Sequence, residues 1–172
     1  MKIRRLTRDA LLTGIALILF IVEAQLPPLT PIPGIKAGLA NIITVFAVFA
    51  LGPADAAAIL AVRILLGTLV SGNLSMLMYS AAGGLLCYAA MLGLKRILTM
   101  RQIWVASVLG AAAHNTGQIA VAVAVTRTPA LISYLPVLLV SGMVAGLFTG
   151  LCAQFLIAKM PPIFPKQKED AP

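Results

Sequence analysis

The stretch Ile103–Val125, IWVASVLGAAAHNTGQIAVAVAV, contains no Asp, Glu, Lys or Arg and is long enough to cross a membrane as a helix. Its main polar block, HNTGQ at residues 114–118, interrupts the apolar run near its middle. Polar side chains are costly in hydrocarbon and are kept where they meet a partner, a cavity or a ligand. The stretch therefore predicts a transmembrane helix with a polar face.

Two interpretations of this polar face remain open. His114 and Gln118 are four residues apart and share one helix face, whereas Asn115 lies about 100° around the helix. The three side chains could serve only to hold neighbouring helices together. They could also bind a small polar ligand, and this second interpretation is favoured because other polar residues occur at a similar depth in the membrane.

The composition extends the prediction from one helix to the whole chain. Of the 172 residues, 60% are hydrophobic and 10% are charged, against about 25% charged in a soluble domain. The apolar runs are continuous and do not alternate as strands of a membrane barrel would. We therefore predict an all-α integral membrane protein. The net charge of +8 does not indicate nucleic-acid binding, because the basic residues flank apolar spans and are not interleaved with aromatics.

Six transmembrane helices are predicted, all in a single membrane domain of residues 1–160. A polar tail, residues 161–172, is predicted to be disordered. The predicted spans are about Ala10–Leu26, Ala37–Leu51, Ala54–Val70, Ser75–Leu94, Ile103–Val125 and Tyr134–Ala158.

The basic residues predict the orientation of these spans. If the N-terminus is cytoplasmic, the outside loops carry only Lys36 and Arg127, and Arg63 falls within a span. The remaining Lys and Arg of the 13 in the chain lie inside, as the positive-inside rule requires. They are Lys2, Arg4, Arg5, Arg8, Lys95, Arg96, Arg101, Lys159, Lys166 and Lys168. Both termini are therefore predicted to be cytoplasmic.

This orientation places several polar residues in the outer half of the membrane, where they would form one outward-facing substrate pocket. They are Glu23, Lys36, Asn41, Arg63, Asn73, His114, Asn115 and Gln118. Arg63 must face protein or water, because a charge that faces lipid costs at least about 3 kcal/mol. The excess of cations over the carboxylate favours an anionic or polarised ligand. Alternatively, Glu23 is the counter-ion of Arg63, Lys36 extends to the membrane surface and Asn41 braces a helix.

Small residues predict close helix contacts. Ala10 and Gly14 are four residues apart in the first span, a spacing that lets another helix approach closely. The partner of this face is either another helix of the same chain or a second membrane protein.

No catalytic or metal-binding pattern is found in the sequence. It has no acidic pair for general acid–base catalysis, no DDxxD-type cluster for magnesium on a diphosphate and no P-loop. His114 has no second His or Cys at metal-ligand spacing. We therefore expect a non-enzyme without cofactor or metal, and any ATP-driven step would need another subunit.

Three segments carry a resemblance to a known family: PGIKAGLANI at residues 33–42, YSAAGG at 79–84 and GAAAHNTGQ at 110–118. Together with the length and the six spans, they resemble the Gx transporter family, also labelled heptaprenyl diphosphate synthase component I. The resemblance covers about Thr7 to Lys159. The chain is also similar to substrate-binding S components of energy-coupling factor (ECF) transporters. In these importers, a transmembrane T component and two ATPase subunits drive uptake, and small residues of the first helix face the T component. For this chain, the resemblance implies contacts through Ala10 and Gly14.

Two functions follow as hypotheses. The first is a substrate-binding S component of an ECF-type importer in the cytoplasmic membrane of a bacterium, with a vitamin- or cofactor-like substrate. The second is a non-catalytic membrane partner of a prenyl diphosphate synthase in isoprenoid or quinone synthesis.

Overall fold

The computed structural model describes residues 2–25 and 38–159, and within these ranges it contains helices and turns but no strand. There are six α-helices, with one short 3₁₀ helix before α5 (Met100–Gln102) and another before α6 (Pro129–Tyr134). The α-helices are α1 (Lys2–Ala24), α2 (Asn41–Ala50), α3 (Pro53–Ser71), α4 (Leu74–Leu94), α5 (Ile103–Thr126) and α6 (Leu135–Lys159).

Local sequence accounts for the helix boundaries. Pro53 opens α3, where its missing N–H is not needed, and Gly72 ends that helix in the left-handed conformation at φ 63°. Asn73 then accepts a hydrogen bond from the backbone N–H of Ser75 and so caps α4. The predicted break at residues 71–73 is therefore the end of one helix and the cap of the next.

Successive helices run in alternating directions. Asp55 in the first turn of α3 contacts Arg5 near the start of α1, and Lys95 after α4 donates to the carbonyl of Val48 near the end of α2. We call this end of the bundle the basic end. It carries Arg4, Arg5, Arg8, Lys95, Arg96, Arg101 and Lys159. Burial lowers the pKa of Lys95. The predicted clustering of these basic residues at one side of the protein is thus seen in the arrangement of the helices.

The short helix α2 lies inside the bundle. It contacts each of the other five helices, and its residues Val45, Ala47 and Val48 are fully buried. Its apolar side chains lie on all sides, which is typical of a helix buried within a larger protein. A helix of 10 residues is about 15 Å long, about half of the 30 Å hydrocarbon core.

Much of the outer surface is apolar. Exposed side chains include Leu69 on α3, Leu85 on α4, and Val140 and Phe155 on α6. Among residues 2–25 and 38–159, four helical segments are long and apolar enough to cross a membrane: Pro53–Ser71, Leu74–Leu94, Met100–Thr126 and Pro129–Lys159. Apolar faces of this extent need a lipid environment or a partner. The chain is thus a multi-pass helical membrane protein.

Four details differ from the sequence prediction or lie beyond the described residues. The first helix starts at Lys2 and not near Ala10, because the helix extends through the charged residues that precede the apolar span. The second helix starts at Asn41 and not near Ala37, because Gly38 adopts φ 87° and its carbonyl accepts from the N–H of Asn41. The described part of this segment is too short to span the membrane by itself, so the number of six spans remains a prediction. The predicted polar tail, residues 161–172, lies outside the described ranges.

Candidate functional site

A polar cavity lies where α1, α2 and α3 meet α4 and α5, in the half of the bundle away from the basic end. Five of the predicted pocket residues line it, together with residues that the sequence analysis did not select. The lining residues are Phe20, Glu23, Gly38, Ala40, Asn41, Arg63, Ser80, His114 and Gln118. The cavity volume is about 10 Å³, room for about one water molecule. The described conformation is therefore closed around a small polar space.

Arg63 brings a positive charge to this cavity. Its side chain projects from α3 and is only 4% exposed. Its Nη2 donates to Oδ1 of Asn41, the first residue of α2, at 3.3 Å. This hydrogen bond uses one donor of a guanidinium that has five, so the group retains capacity for an anionic or accepting partner.

Glu23 brings a carboxylate to the same cavity but does not pair directly with Arg63. Its Oε1 accepts a hydrogen bond from the backbone N–H of Gly38 at 2.5 Å. Within the described ranges, ion pairs shorter than 4 Å occur at Asp9 and Asp55 and not between Glu23 and Arg63. The two charges still attract each other across the cavity. Glu23 thus helps to balance the buried charge while it holds the turn before α2.

His114 and Gln118 form the α5 side of the cavity. Both are at least 96% buried, since they are 4% and 2% exposed. Nδ1 of His114 and Oε1 of Gln118 form no well-directed hydrogen bond with a described residue, although the backbone of Gly83 lies close beside the His114 ring. Polar atoms buried in protein usually have a partner. Oδ1 of Asn115 and Oε1 of Gln154 are also buried without a partner among the described residues, but they do not line the cavity. Because His114 and Gln118 do line it, their two atoms mark where the cavity can accept a ligand or a bridging water.

Glycine on α4 sets the position of the His114 ring. A Cβ at Gly83 would lie 2.9 Å from Nδ1 of His114 and 2.9 Å from its backbone oxygen. Real Cβ atoms do not come so close to other atoms, so only glycine lets the two helices approach to this distance. The YSAAGG segment at residues 79–84 thus supplies both the close approach at Gly83 and the cavity side chain of Ser80.

Asn115 points away from the cavity toward α6. Its Nδ2 donates to the backbone carbonyl of Leu138, and Gly142 leaves the space for this amide. The hydrogen bond joins α5 to α6, which matches the bracing interpretation for this member of the polar face. Its neighbours on the same helix, His114 and Gln118, face the cavity.

The other predicted residues are also placed away from the cavity or lie outside the described ranges. Asn73 is exposed and caps α4. Lys36 lies outside the described residues. Ala10 and Gly14 lie on an exposed face of α1, and no atom approaches within 4 Å of the position that a Cβ on Gly14 would take. This face is unoccupied by the described helices of the chain.

Phe20 and Ser80 line the cavity but were not selected from the sequence. Phe20 lies on α1 one turn before Glu23, and Gly67 on α3 leaves room for its ring. The spacing of Phe20 and Glu23 could have indicated a shared face, but an apolar residue in an apolar span carries no other signal. Ser80 belongs to the YSAAGG segment, residues 79–84, which carries the family resemblance but does not distinguish this side chain from its neighbours.

The groups that line the cavity are suited to binding. Within residues 2–25 and 38–159, no group of three His, Cys, Asp or Glu side chains is placed to hold a metal ion. One cationic side chain, one carboxylate, two amides, a hydroxyl and an imidazole converge on a small enclosed space. These groups are suited to recognition of an anion with further hydrogen-bonding atoms.

The residues that line this cavity lie within a stretch of the chain that matches a known protein family. Searches of curated proteins and of solved structures give no match. Residues 12–156 match one protein family, and this range includes every described residue of the cavity, three of the four transmembrane-length segments and most of the fourth. The chain therefore belongs to the family described as heptaprenyl diphosphate synthase component I.

Proposed function

We propose that this protein is the substrate-binding S component of an ECF-type, ATP-driven importer for a small vitamin- or cofactor-like anion. In this proposal the chain crosses a bacterial cytoplasmic membrane six times and has both termini in the cytoplasm. The observation that carries the proposal is the buried polar cavity between α1–α3 and α4–α5, with Arg63 on one side and two unpartnered polar atoms on the other.

The energetic cost of this cavity supports a ligand role. An unpartnered buried polar atom costs about 1–3 kcal/mol, and His114 and Gln118 each contribute one. A purely structural cluster would gain stability by pairing these atoms or by replacing them with apolar groups. Unpartnered buried oxygens also occur on Asn115 and Gln154 away from the cavity, so the support comes from the position of the His114 and Gln118 atoms on a shared polar space beside Arg63.

The contacts of Arg63 support an anionic ligand, although the Glu23 carboxylate lines the same cavity. Arg63 donates to the neutral Asn41 and is not in contact with the Glu23 carboxylate. A carboxylate or phosphate can accept two parallel hydrogen bonds from a guanidinium, which is stronger than its bond to an amide. We therefore expect the anionic group of the substrate to lie against Arg63 and its polar remainder to face His114 and Gln118.

Binding would require the cavity to open. About 10 Å³ cannot hold even a small organic anion, because ligand sites are about 300–1,000 Å³. The cavity lies on the boundary between α1–α3 and α4–α6, so a shift between these two groups of helices would enlarge it. The described structure would then be the closed form of the substrate-binding subunit.

The energy for such a cycle would come from other subunits. The chain has no P-loop, so an ECF T component and two ATPase subunits would supply the ATP-driven step. The exposed face of α1 at Ala10 and Gly14 is our proposed contact with the T component. Such a face suits close helix–helix packing.

The experiment is mass spectrometry of small molecules released from protein purified in mild detergent. Wild-type protein should carry a stoichiometric anionic compound, and Arg63→Ala and His114→Ala should lose it while remaining folded. Asn73→Ala is the matched control, because Asn73 is polar but lies outside the cavity. Equal retention of the compound by all four proteins would exclude the cavity as its site.

A second candidate rests on the family description, which names a component of heptaprenyl diphosphate synthase. The chain would then be a non-catalytic membrane partner of a prenyl diphosphate synthase. Co-purification from native membranes separates the two functions. Recovery of ATPases and a T component supports the importer, whereas recovery of a soluble prenyl synthase supports the second candidate.

A further inference from the structure

A second, larger cavity opens at the basic end of the bundle and shares no residue with the polar cavity. It is a groove of about 450 Å³ between α1 and α2. Its walls are formed chiefly by Ile3, Leu11 and Leu12 of α1 and Phe46 of α2, and Arg4 and Arg8 lie along it. We call it the α1–α2 groove. Its volume is within the range of sites that bind small molecules.

The basic side chains along the groove differ in how far they are neutralised. Arg8 donates to Asp9 at 2.9 Å and to Asp55 at 2.5 Å. Arg5, on another face of α1, donates to Asp55 through Nε at 2.6 Å. Arg4 is exposed and takes part in none of the ion pairs formed within residues 2–25 and 38–159. The groove therefore combines apolar walls with one positive charge that these carboxylates do not compensate.

The position of the groove determines which molecules can reach it. Arg4 lies near the start of α1 at the basic end, and Leu11 and Leu12 follow about two turns further along the same helix. In our proposal the basic end lies at the charged surface of the membrane. A soluble anion would use the charge but leave the apolar walls exposed. A neutral lipid would cover the walls but leave Arg4 without a counter-ion. A lipid with an acyl chain and an anionic headgroup matches both features.

We propose that the α1–α2 groove binds one anionic phospholipid. Its acyl chain lies along Leu11, Leu12 and Phe46, and its phosphate contacts Arg4. The lipid fills the space beside α1, the helix that carries Phe20 and Glu23 to the polar cavity at its other end. This site is independent of the transported substrate. Its residues Ile3 and Thr7 lie on the same face of α1 as Ala10 and Gly14, so the lipid would border the T-component contact that we propose there.

The experiment measures lipid binding to the full chain in detergent by native mass spectrometry, with phosphatidylglycerol and phosphatidylcholine of identical acyl chains. Wild-type protein should retain one phosphatidylglycerol in preference to phosphatidylcholine. Arg4→Gln should weaken phosphatidylglycerol binding about fivefold, since one basic residue contributes about 1 kcal/mol. Arg101→Gln, which removes an exposed charge from the same end but outside the groove, should leave the preference unchanged.

A second pair of variants tests the apolar walls. Leu11→Gln should weaken binding of both lipids, whereas Leu6→Gln should not, because Leu6 lies outside the groove. The two leucines are matched in exposure, at 65% and 72%, and neither is needed for the core. Each variant is checked for an unchanged unfolding temperature in lipid-free detergent.

Several results would overturn the proposal. One is equal binding of the two lipids to wild-type protein. Another is competition by inorganic phosphate, which would indicate a site for soluble anions. A third comes from a photo-crosslinking amino acid placed at Leu11 in native membranes. Crosslinks to lipid support the proposal, and crosslinks to a second copy of the chain or to another protein contradict it.

Discussion

The helices α4–α6 and the helices α1–α3 are held together by different means. On α5, Gly117 packs against the backbone of Ala82 on α4, and on the other side Gly146 of α6 packs against the backbone of Ser107. Contacts of α5 with its two neighbours are the most extensive in the bundle, whereas α1 packs far less against α2 and α3.

Ionic contacts replace close packing at α1. Arg5 and Arg8 contact Asp55 of α3, and Gly14 faces open space. The cavity lies on the boundary, so His114 and Gln118 project from a rigid wall and Glu23 from a loosely packed helix. This difference indicates which wall of the cavity can move when a ligand enters.

The largest expected effect comes from breaking the rigid wall with Gly117→Ala. The added Cβ would lie 2.8 Å from the carbonyl oxygen and 3.0 Å from the carbonyl carbon of Ala82, and backbone atoms cannot move aside cheaply. We expect the free energy of unfolding to fall by about 1–3 kcal/mol, measured by thermal unfolding in detergent.

The matched control is Gly14→Ala on α1, which meets no atom within 4 Å. It should raise the free energy of unfolding by up to about 1 kcal/mol, because Ala is the better helix former. Equal effects of the two substitutions would contradict the proposed difference between the two regions.

An intermediate effect should separate the two roles within the polar face of α5. Asn115→Ala removes the hydrogen bond to the carbonyl of Leu138 together with an unpartnered buried Oδ1. It should still cost about 1 kcal/mol of stability, because the hydrogen bond is lost and the shorter side chain leaves a space. Gln118→Met keeps the side-chain length and removes an unpartnered buried oxygen, so the ligand-free protein should be as stable as wild type or more so.

Ligand retention gives the opposite order for the same two variants. Gln118→Met should lose the bound compound detected by mass spectrometry, and Asn115→Ala should keep it. If both variants lost stability to the same extent, Gln118 would also be a bracing residue, and the division between the cavity and the α5–α6 contact would be wrong.

The smallest effect on global stability is expected for Asp55→Asn, which removes the charge that ties α1 to α3. Asp55 accepts from both Arg5 and Arg8, whereas Asp9 accepts from Arg8 alone. Hydrogen exchange of α1 amides should therefore accelerate more in Asp55→Asn than in Asp9→Asn, with α5 unchanged. Faster exchange throughout the bundle would show that the ion pairs stabilise the whole protein and not α1 in particular.

Much of the helical layout could be predicted from the sequence, and less of the site. The apolar runs predicted both ends of α3, α4, α5 and α6 and the end of α1 to within a few residues, because local composition and turn residues determine these boundaries. The start of α1 was not predicted, because its first residues are charged. The start of α2 was missed because Gly38 turns the chain there. Residue type alone also could not show that Asn73 caps a helix instead of lining the cavity.

The sequence by itself determined that this is a helical membrane protein of one family, with a polar block in the middle of an apolar span. Hydrophobic length and the cost of polar groups in lipid are properties of a segment and need no knowledge of its neighbours. Only the tertiary structure decided that His114 and Gln118 meet Arg63 while Asn115 meets Leu138. Whether a polar side chain forms a hydrogen bond within the protein or remains available to a ligand depends on which helix packs against its face.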